Sequence, residues 1–196
     1  MNVKKEGMYA LIGIIGLYIL VIVLFLSSTS LEYFEYNFFI RFFALTGFYF
    51  LAISVLLTPF VREVYQVFGK PFQSIHHSFG ALGLAGATIH PLVYAVQVSD
   101  ISVFVPDFSG WTVFWELAGR PAFFIIYIAL IGAFFRRNIG KYWRSLHSLM
   151  YLALVFIFVH GYLIGTDFDN LGVMIIFTGL FAASMVAPFY KRYNQK

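Results

Sequence analysis

The five histidines of this 196-residue chain lie in only two of its apolar segments. His76, His77 and His90 share one segment, and His147 and His160 share another. Imidazole is a ligand for haem iron, zinc and copper. A single histidine in an apolar helix is often only an interfacial residue or a helix contact. His90 and His160, however, lie deep inside apolar runs, where ionisable groups are costly and usually functional. The clustering therefore predicts a cofactor site.

The spacing within the first segment favours two ligands on one helical face. His76 and His90 are 14 residues apart, so on a helix they differ by only about 40° in direction and about 21 Å along the axis. Gly83 lies midway on the same face among other small residues, which predicts a smooth patch that a flat macrocycle can approach. His77 points about 100° away, so we expect His76 rather than His77 to be the ligand.

The two segments together predict two pairs of ligands at different depths. If both helices run in the same direction, His76 meets His147 and His90 meets His160. Zinc commonly needs cysteine or carboxylate ligands as well, but the chain has no cysteine and no acidic residue inside these segments. Paired imidazoles instead favour bis-histidine haem b, whose chemistry is one-electron transfer. The 13-residue step from His147 to His160 spans about 220° on an ideal helix, so that pair requires a distorted helix or different directions of approach.

The composition requires a membrane around these helices. Hydrophobic residues make up 61% of the chain and charged residues 11%, with a mean hydropathy of +0.83. These values exclude a soluble enzyme, a nucleic-acid-binding module and a disordered protein. The first apolar run is too long for a cleaved signal peptide. We therefore predict an all-α integral membrane protein, a single domain over 1–196 with six transmembrane helices at about 8–28, 42–61, 75–98, 120–135, 146–166 and 171–190.

The basic residues predict the orientation of this six-helix bundle. Of the 13 lysines and arginines, only Arg41 and Arg120 fall on one side of the predicted membrane. The positive-inside rule then places both termini in the cytoplasm of a multi-pass inner (plasma) membrane protein. The other eleven are Lys4, Lys5, Arg62, Lys70, Arg136, Arg137, Lys141, Arg144, Lys191, Arg192 and Lys196. The positive-inside rule does not account for Arg41 and Arg120, which lie on the outer side. We therefore expect these two to bind haem propionates.

The longest connection, about 97–120, is predicted to be external and is rich in aromatic residues. Aromatic side chains at this density are typical of a segment in the lipid headgroup layer. The alternative is a docking surface for an external partner.

Several strings resemble the ferric-reductase-like transmembrane domain, the six-helix haem domain of NADPH oxidases and ferric reductases. Within that superfamily the chain is most similar to the MsrQ (YedZ) family, the haem-binding membrane subunits of periplasmic methionine sulfoxide reductase systems. The resemblance covers about 41–165. The strings are Leu56–Arg62, Gly80–His90, Glu116–Pro121 and Gly140–His147 with Tyr151 and His160.

The resemblance implies a cofactor, a ligand set and partners. The ligands would be His76, His90, His147 and His160, and the cofactor would be haem b, at least one and more consistently two. Electrons would come from the quinone pool or a cytosolic flavin reductase and leave to an external molybdenum-containing reductase. FMN on the subunit itself is implied for some members. MsrQ proteins often carry Arg-Arg where this chain has His76 and His77, a departure that favours two haems here. The chain has no FAD/NADPH domain, so we expect a separate electron donor.

Two other functions remain open. The first is a self-contained transmembrane ferric or quinone reductase that acts on a small acceptor. The second is a proton or ion conductor that uses the histidines as a relay. A relay needs polar steps between its members, and Thr88 is the only polar residue between His77 and His90 apart from Ser78 at the start of the run.

Overall fold

The computed structural model describes residues 4–29 and 36–194, and all regular secondary structure in those residues is helical. Lys196, one of the basic residues used above for the orientation, lies outside them. Helices α1 to α10 are Lys5–Ser27, Tyr36–Leu56, Val61–Phe68, Phe72–Val98, Trp111–Glu116, Gly119–Phe134, Arg136–Ile139, Trp143–His147, Leu149–Ile164 and Leu171–Tyr193. The prediction of an all-α protein is confirmed.

Five stretches of the described residues are long and apolar enough to cross a membrane. They are α1, α2 continued into α3, α4, the run from α7 to α9, and α10. The remaining apolar helix, α6, has 16 residues and is about 24 Å long, against a hydrocarbon core of about 30 Å. The chain therefore has the architecture of a multi-pass membrane protein, with five spans of full length and one shorter helix.

The helix boundaries differ from the predicted ones in several places. Helix α2 begins at Tyr36 and not at 42, and the short helix α5 lies within the connection predicted at about 97–120. Two further differences change the course of the chain. The stretch between Arg62 and Lys70, expected as a loop, forms the amphipathic helix α3. Pro59 separates α2 from α3 because proline has no N–H to continue the hydrogen-bond ladder, and a short 3-10 turn bridges the break. The helix expected at 146–166 is also divided, because α8 ends at His147 and α9 begins at Leu149.

Helix α2 is the centre of the bundle. Ten of its residues between Leu45 and Val55 are buried, and it packs antiparallel against α4 at very short range. A Cβ atom placed on Gly86 would lie 2.5 Å from the amide nitrogen of Gly47. Glycines at such contacts let two membrane helices approach backbone to backbone. Helix α10 packs on the opposite side of α2, where the Ser184 hydroxyl donates to the carbonyl of Ala52 at 3.0 Å.

A second antiparallel pair is formed by α6 and the α8–α9 run. Gly132 provides its close contact, because a Cβ there would lie 2.7 Å from Cβ of Leu146. Large apolar side chains are exposed along α1, α4, α6, α9 and α10. Such a surface suits lipid rather than water.

Candidate functional site: two facing histidine pairs

Four of the five histidines face each other in two pairs. The ring centroids of His76 and His147, the first pair, are 6.0 Å apart, and those of His90 and His160, the second pair, are 6.5 Å apart. Since the earlier histidine of α4 meets the earlier one of the other segment, the two segments run parallel. The structure therefore brings together the same residues that the sequence predicted as partners. The two pairs are about 21 Å apart along α4.

Every one of these four rings places its Nδ1 against a main-chain carbonyl oxygen. A carbonyl can only accept a hydrogen bond, so each Nδ1 carries the proton and each Nε2 keeps its lone pair. A metal-binding histidine is usually held in this way, with its other ring nitrogen donating to a carbonyl or carboxylate. The bonds run from His76 to Ser54 (3.1 Å), from His90 to Ile40 (2.9 Å), from His147 to Ala129 (3.3 Å) and from His160 to Glu116 (2.6 Å).

The carbonyl partners of α4 both belong to α2, and their spacing matches that of the histidines. His76 and His90 are 14 residues apart, as are Ser54 and Ile40. Because the helices are antiparallel, one register satisfies both bonds. The histidine face of α4 therefore lies along α2, and the rings reach out from the edge of that contact toward the second helix pair.

The second helix pair follows the same rule with a different spacing. His147 and His160 are 13 residues apart, and so are their acceptors Ala129 and Glu116. Both histidines meet their partners, and the helix between them is interrupted at Ser148. A distortion of the helix was one of the two possibilities that the sequence left open for this step.

Gly83, which the sequence predicts to lie beside a macrocycle, packs against α2 in the structure. It is buried in the contact between α4 and α2, where a Cβ would lie 2.5 Å from the amide nitrogen of Leu51. Its lack of a side chain allows α2 to approach closely enough for its carbonyls to reach the two rings.

The neighbouring histidines His76 and His77 have different surroundings. His77 is exposed, and within the described residues its ring contact is with His76, at 5.7 Å between centroids. His76 is half-buried and also stacks on Phe72, with centroids 5.1 Å apart. Of the two, His76 faces His147.

A cavity of about 370 Å³ lies beside the second pair, within the range of about 300–1,000 Å³ that is usual for small-molecule sites. Its wall contains both rings of the pair, and most of the remaining lining is apolar. Gly119 is part of this wall. A Cβ on Gly119 would lie 3.0 Å from Nε2 of His160, so the lack of a side chain at this position keeps the Nε2 edge of that ring clear.

The two arginines expected near haem propionates both line this cavity, but each already has partners. Arg41 forms a bidentate ion pair with Asp167, at 2.6 Å for the shortest contact, and Asp167 is only 6% exposed. Arg120 donates to the carbonyl of Val105 at 3.0 Å and, at 3.5 Å, to that of Ser102. Arg120 therefore fastens the connecting segment between α4 and α6 over the cavity.

The same connecting segment is ordered by local hydrogen bonds. The hydroxyl and amide of Ser102 donate to the carboxylate of Asp100 and hold the pKa of that group below its usual value. Phe108 and Trp111 are 76% and 78% exposed, which fits either a lipid headgroup layer or a docking partner.

The ring separations fit a group that accepts one imidazole on each face. Two collinear metal–imidazole bonds of about 2.0–2.1 Å, with each centroid about 1.1 Å behind its nitrogen, separate the centroids by about 6.3 Å. The observed 6.0 and 6.5 Å lie on either side of this value. Among residues 4–29 and 36–194, no three His, Cys, Asp or Glu side chains gather around a common metal position.

Comparison with known proteins adds no relative: no family model, curated protein or solved structure matches the chain. What can be said about function depends on the residues described above.

Three residues of the site are not identified from the sequence. Ser54 and Asp167 are not singled out there, and Gly119 appears only within the string Glu116–Pro121. Nothing in the local sequence marks Ser54 or Asp167, because their partners His76 and Arg41 are 22 and 126 residues away.

Proposed function

We propose that this protein is a membrane cytochrome b that carries electrons across the cell membrane to an external reductase of the methionine sulfoxide type. The first histidine pair holds one haem b near the cytoplasmic side, and the second pair holds another near the outer side. The observation that carries the proposal is the bonding of the four histidines. All four donate Nδ1–H to main-chain carbonyls, and they meet in two pairs whose rings are close enough for both members to hold one metal ion.

The proposal includes six membrane crossings with both termini in the cytoplasm. Helix α6 is the short crossing, and a helix of that length is accommodated by local thinning of the bilayer at a modest cost. The six crossings put the basic α7–α8 region and the end of α10 on the side of the first pair. This assignment agrees with the positive-inside rule.

The residues of this chain would hold the haem, orient its histidine ligands and surround it with apolar side chains. Haem iron with two imidazole ligands supplies one-electron transfer, with a potential set by the ligands and their surroundings. The carbonyls of α2, α5 and α6 fix the tautomer and the ring directions, so ligation requires little reorganisation. The cavity beside the second pair has mostly apolar walls, and the Arg41–Asp167 ion pair forms part of its lining. Donors of the expected class are a quinol or a cytosolic flavin reductase.

The bonding also weighs against a histidine relay for protons. A relay histidine must accept a proton on one nitrogen and release one from the other. Here Nδ1–H of His90, His147 and His160 ends on a main-chain carbonyl, which cannot pass a proton on. The Ser54 hydroxyl beside Nδ1 of His76 donates its own proton back to the main-chain carbonyl of His76 and so leads to no further histidine. A stand-alone ferric or quinone reductase differs from the proposal only in its acceptor. Rapid oxidation of the isolated, reduced protein by a ferric chelate without any partner would favour that alternative.

The proposal is tested by haem stoichiometry. The pyridine haemochrome of the purified wild-type protein is expected to give two haem b per chain. His76→Ala and His90→Ala should each give one. His77→Ala is the matched control, because it removes an adjacent, exposed imidazole, and it should keep two. Absence of haem from the wild-type protein refutes the proposal, and equal loss in His77→Ala refutes the ligand assignment.

A further inference from the structure

Ser54 gives the first histidine pair a contact that distinguishes it from the second. This serine is only 4% exposed and lies on α2 opposite His76. Its hydroxyl donates to the main-chain carbonyl of His76 at 3.2 Å, and its Oγ lies 3.0 Å from Nδ1 of the same residue. Because that hydroxyl proton is directed to the carbonyl, an oxygen lone pair faces Nδ1–H. Nδ1–H of His76 therefore has two acceptors, the carbonyl and the hydroxyl of one serine.

The other three histidines have a simpler arrangement. In the hydrogen bonds of the described residues, each of their Nδ1 atoms has a main-chain carbonyl as its acceptor. The position that corresponds to Ser54 in the α2–α4 register is Ile40, whose carbonyl holds His90 but whose side chain cannot accept a hydrogen bond. The Ser54 hydroxyl is therefore a hydrogen-bond acceptor that His76 has on α2 and that His90 lacks at the corresponding position.

We propose that Ser54 is a positioning residue that lowers the reduction potential of the metal centre held by the first pair. Hydrogen bonding from Nδ1–H makes Nε2 a more basic ligand, and a more basic ligand stabilises the ferric state over the ferrous state. The second acceptor on His76 adds to this effect at the first site alone. The inference rests on the proposed function, since it needs iron between His76 and His147.

The test compares Ser54→Ala with Ser184→Ala in the full-length protein. Ser184 is a matched control because it is a fully buried serine whose hydroxyl donates to two main-chain carbonyls, Ala52 and Leu180, without contacting a histidine. Potentiometric titration, followed by the visible band of reduced haem, should resolve two one-electron steps. In Ser54→Ala one step is expected to move to higher potential while the other stays in place. Ser184→Ala should move neither.

The outcomes separate this inference from the proposed function. Absence of haem from the wild-type protein ends both. If Ser54→Ala binds two haems and both of its reduction potentials are unchanged, the role of Ser54 is refuted and the proposed function is not. The same conclusion follows if Ser184→Ala shifts a reduction potential as much as Ser54→Ala does. A wild-type protein that binds haem only at the second pair also overturns the role of Ser54, because His76 would then hold no iron. Electron paramagnetic resonance of the oxidised protein gives a second readout, since only one of its two low-spin signals should change in Ser54→Ala.

Discussion

Replacing Gly83 with alanine should damage both histidine pairs without touching any histidine. The glycine lies midway between His76 and His90, and a Cβ there would meet the main chain of α2 at 2.5 Å, at the amide nitrogen of Leu51. A main-chain atom cannot rotate away as a side chain can. The two helices must therefore separate, and their separation moves the α2 carbonyls away from both rings.

The size of the effect follows from these contacts. Heavy atoms pack best at about 3.5–4.0 Å, so relief requires a local separation of about 1 Å. That shift takes the Nδ1 contacts of His76 and His90, now 3.1 and 2.9 Å, beyond hydrogen-bonding range. Overpacking costs about 1–3 kcal/mol, and each lost bond costs about 0.5–1.5 kcal/mol. Alanine restores about 1 kcal/mol of helix propensity, which leaves a net loss of about 1–5 kcal/mol.

Denaturant-induced unfolding in detergent, with haem content measured in parallel, checks this prediction. The control is Gly179→Ala on α10, where a Cβ would meet nothing within 4 Å. The control should keep or slightly raise the stability and retain all its haem. Gly83→Ala should be less stable and lose haem from both pairs. If Gly83→Ala unfolds at the same denaturant concentration as Gly179→Ala with full haem content, the close contact between α2 and α4 does not position the histidines.

Two further substitutions test the second site. Gly119→Ala places a methyl group 3.0 Å from Nε2 of His160. It should therefore reduce the haem content by one per chain and leave the haem of the first pair in place. Unchanged haem content would contradict metal binding by Nε2 of His160. Asp167→Asn leaves Arg41 without its counter-charge and should destabilise the protein by about 1–3 kcal/mol, less than for a fully buried pair because Arg41 is partly exposed. The exposed neighbour Asp169, as Asp169→Asn, is the control, and equal unfolding midpoints in the two variants would count against a structural role for the ion pair.

The pairing of the histidines follows from the sequence because their order along two parallel segments determines which of them meet, and helix geometry supports the α4 side of each pair. Fourteen residues return a side chain to nearly the same face, and two apolar segments that run parallel bring their first and second histidines together. The same periodicity separates His76 from His77. These inferences need only the positions of apolar and basic residues, which a single sequence displays.

The contacts that hold the histidines could not be predicted in this way. Their acceptors are main-chain carbonyls, which every residue possesses, so Ile40 and Ala129 carry no mark of their role. The packing of Gly83 could not be predicted from the sequence either. A glycine beside a predicted cofactor can provide space for the cofactor or for a neighbouring helix, and only the packing of α2 decides between them.

The two helix pairs also explain why unequal histidine spacings lead to equivalent sites. Between its two contacts the α2–α4 pair is helical without interruption, and both the ligands and the acceptors are 14 residues apart. In the other pair both partners are interrupted, one after Glu116 and one at Ser148, and both spacings shorten to 13. A break in only one partner would put one ring out of register with its carbonyl. The paired breaks indicate that matching each ligand to its acceptor constrains this fold more tightly than the direction of a side chain on an ideal helix.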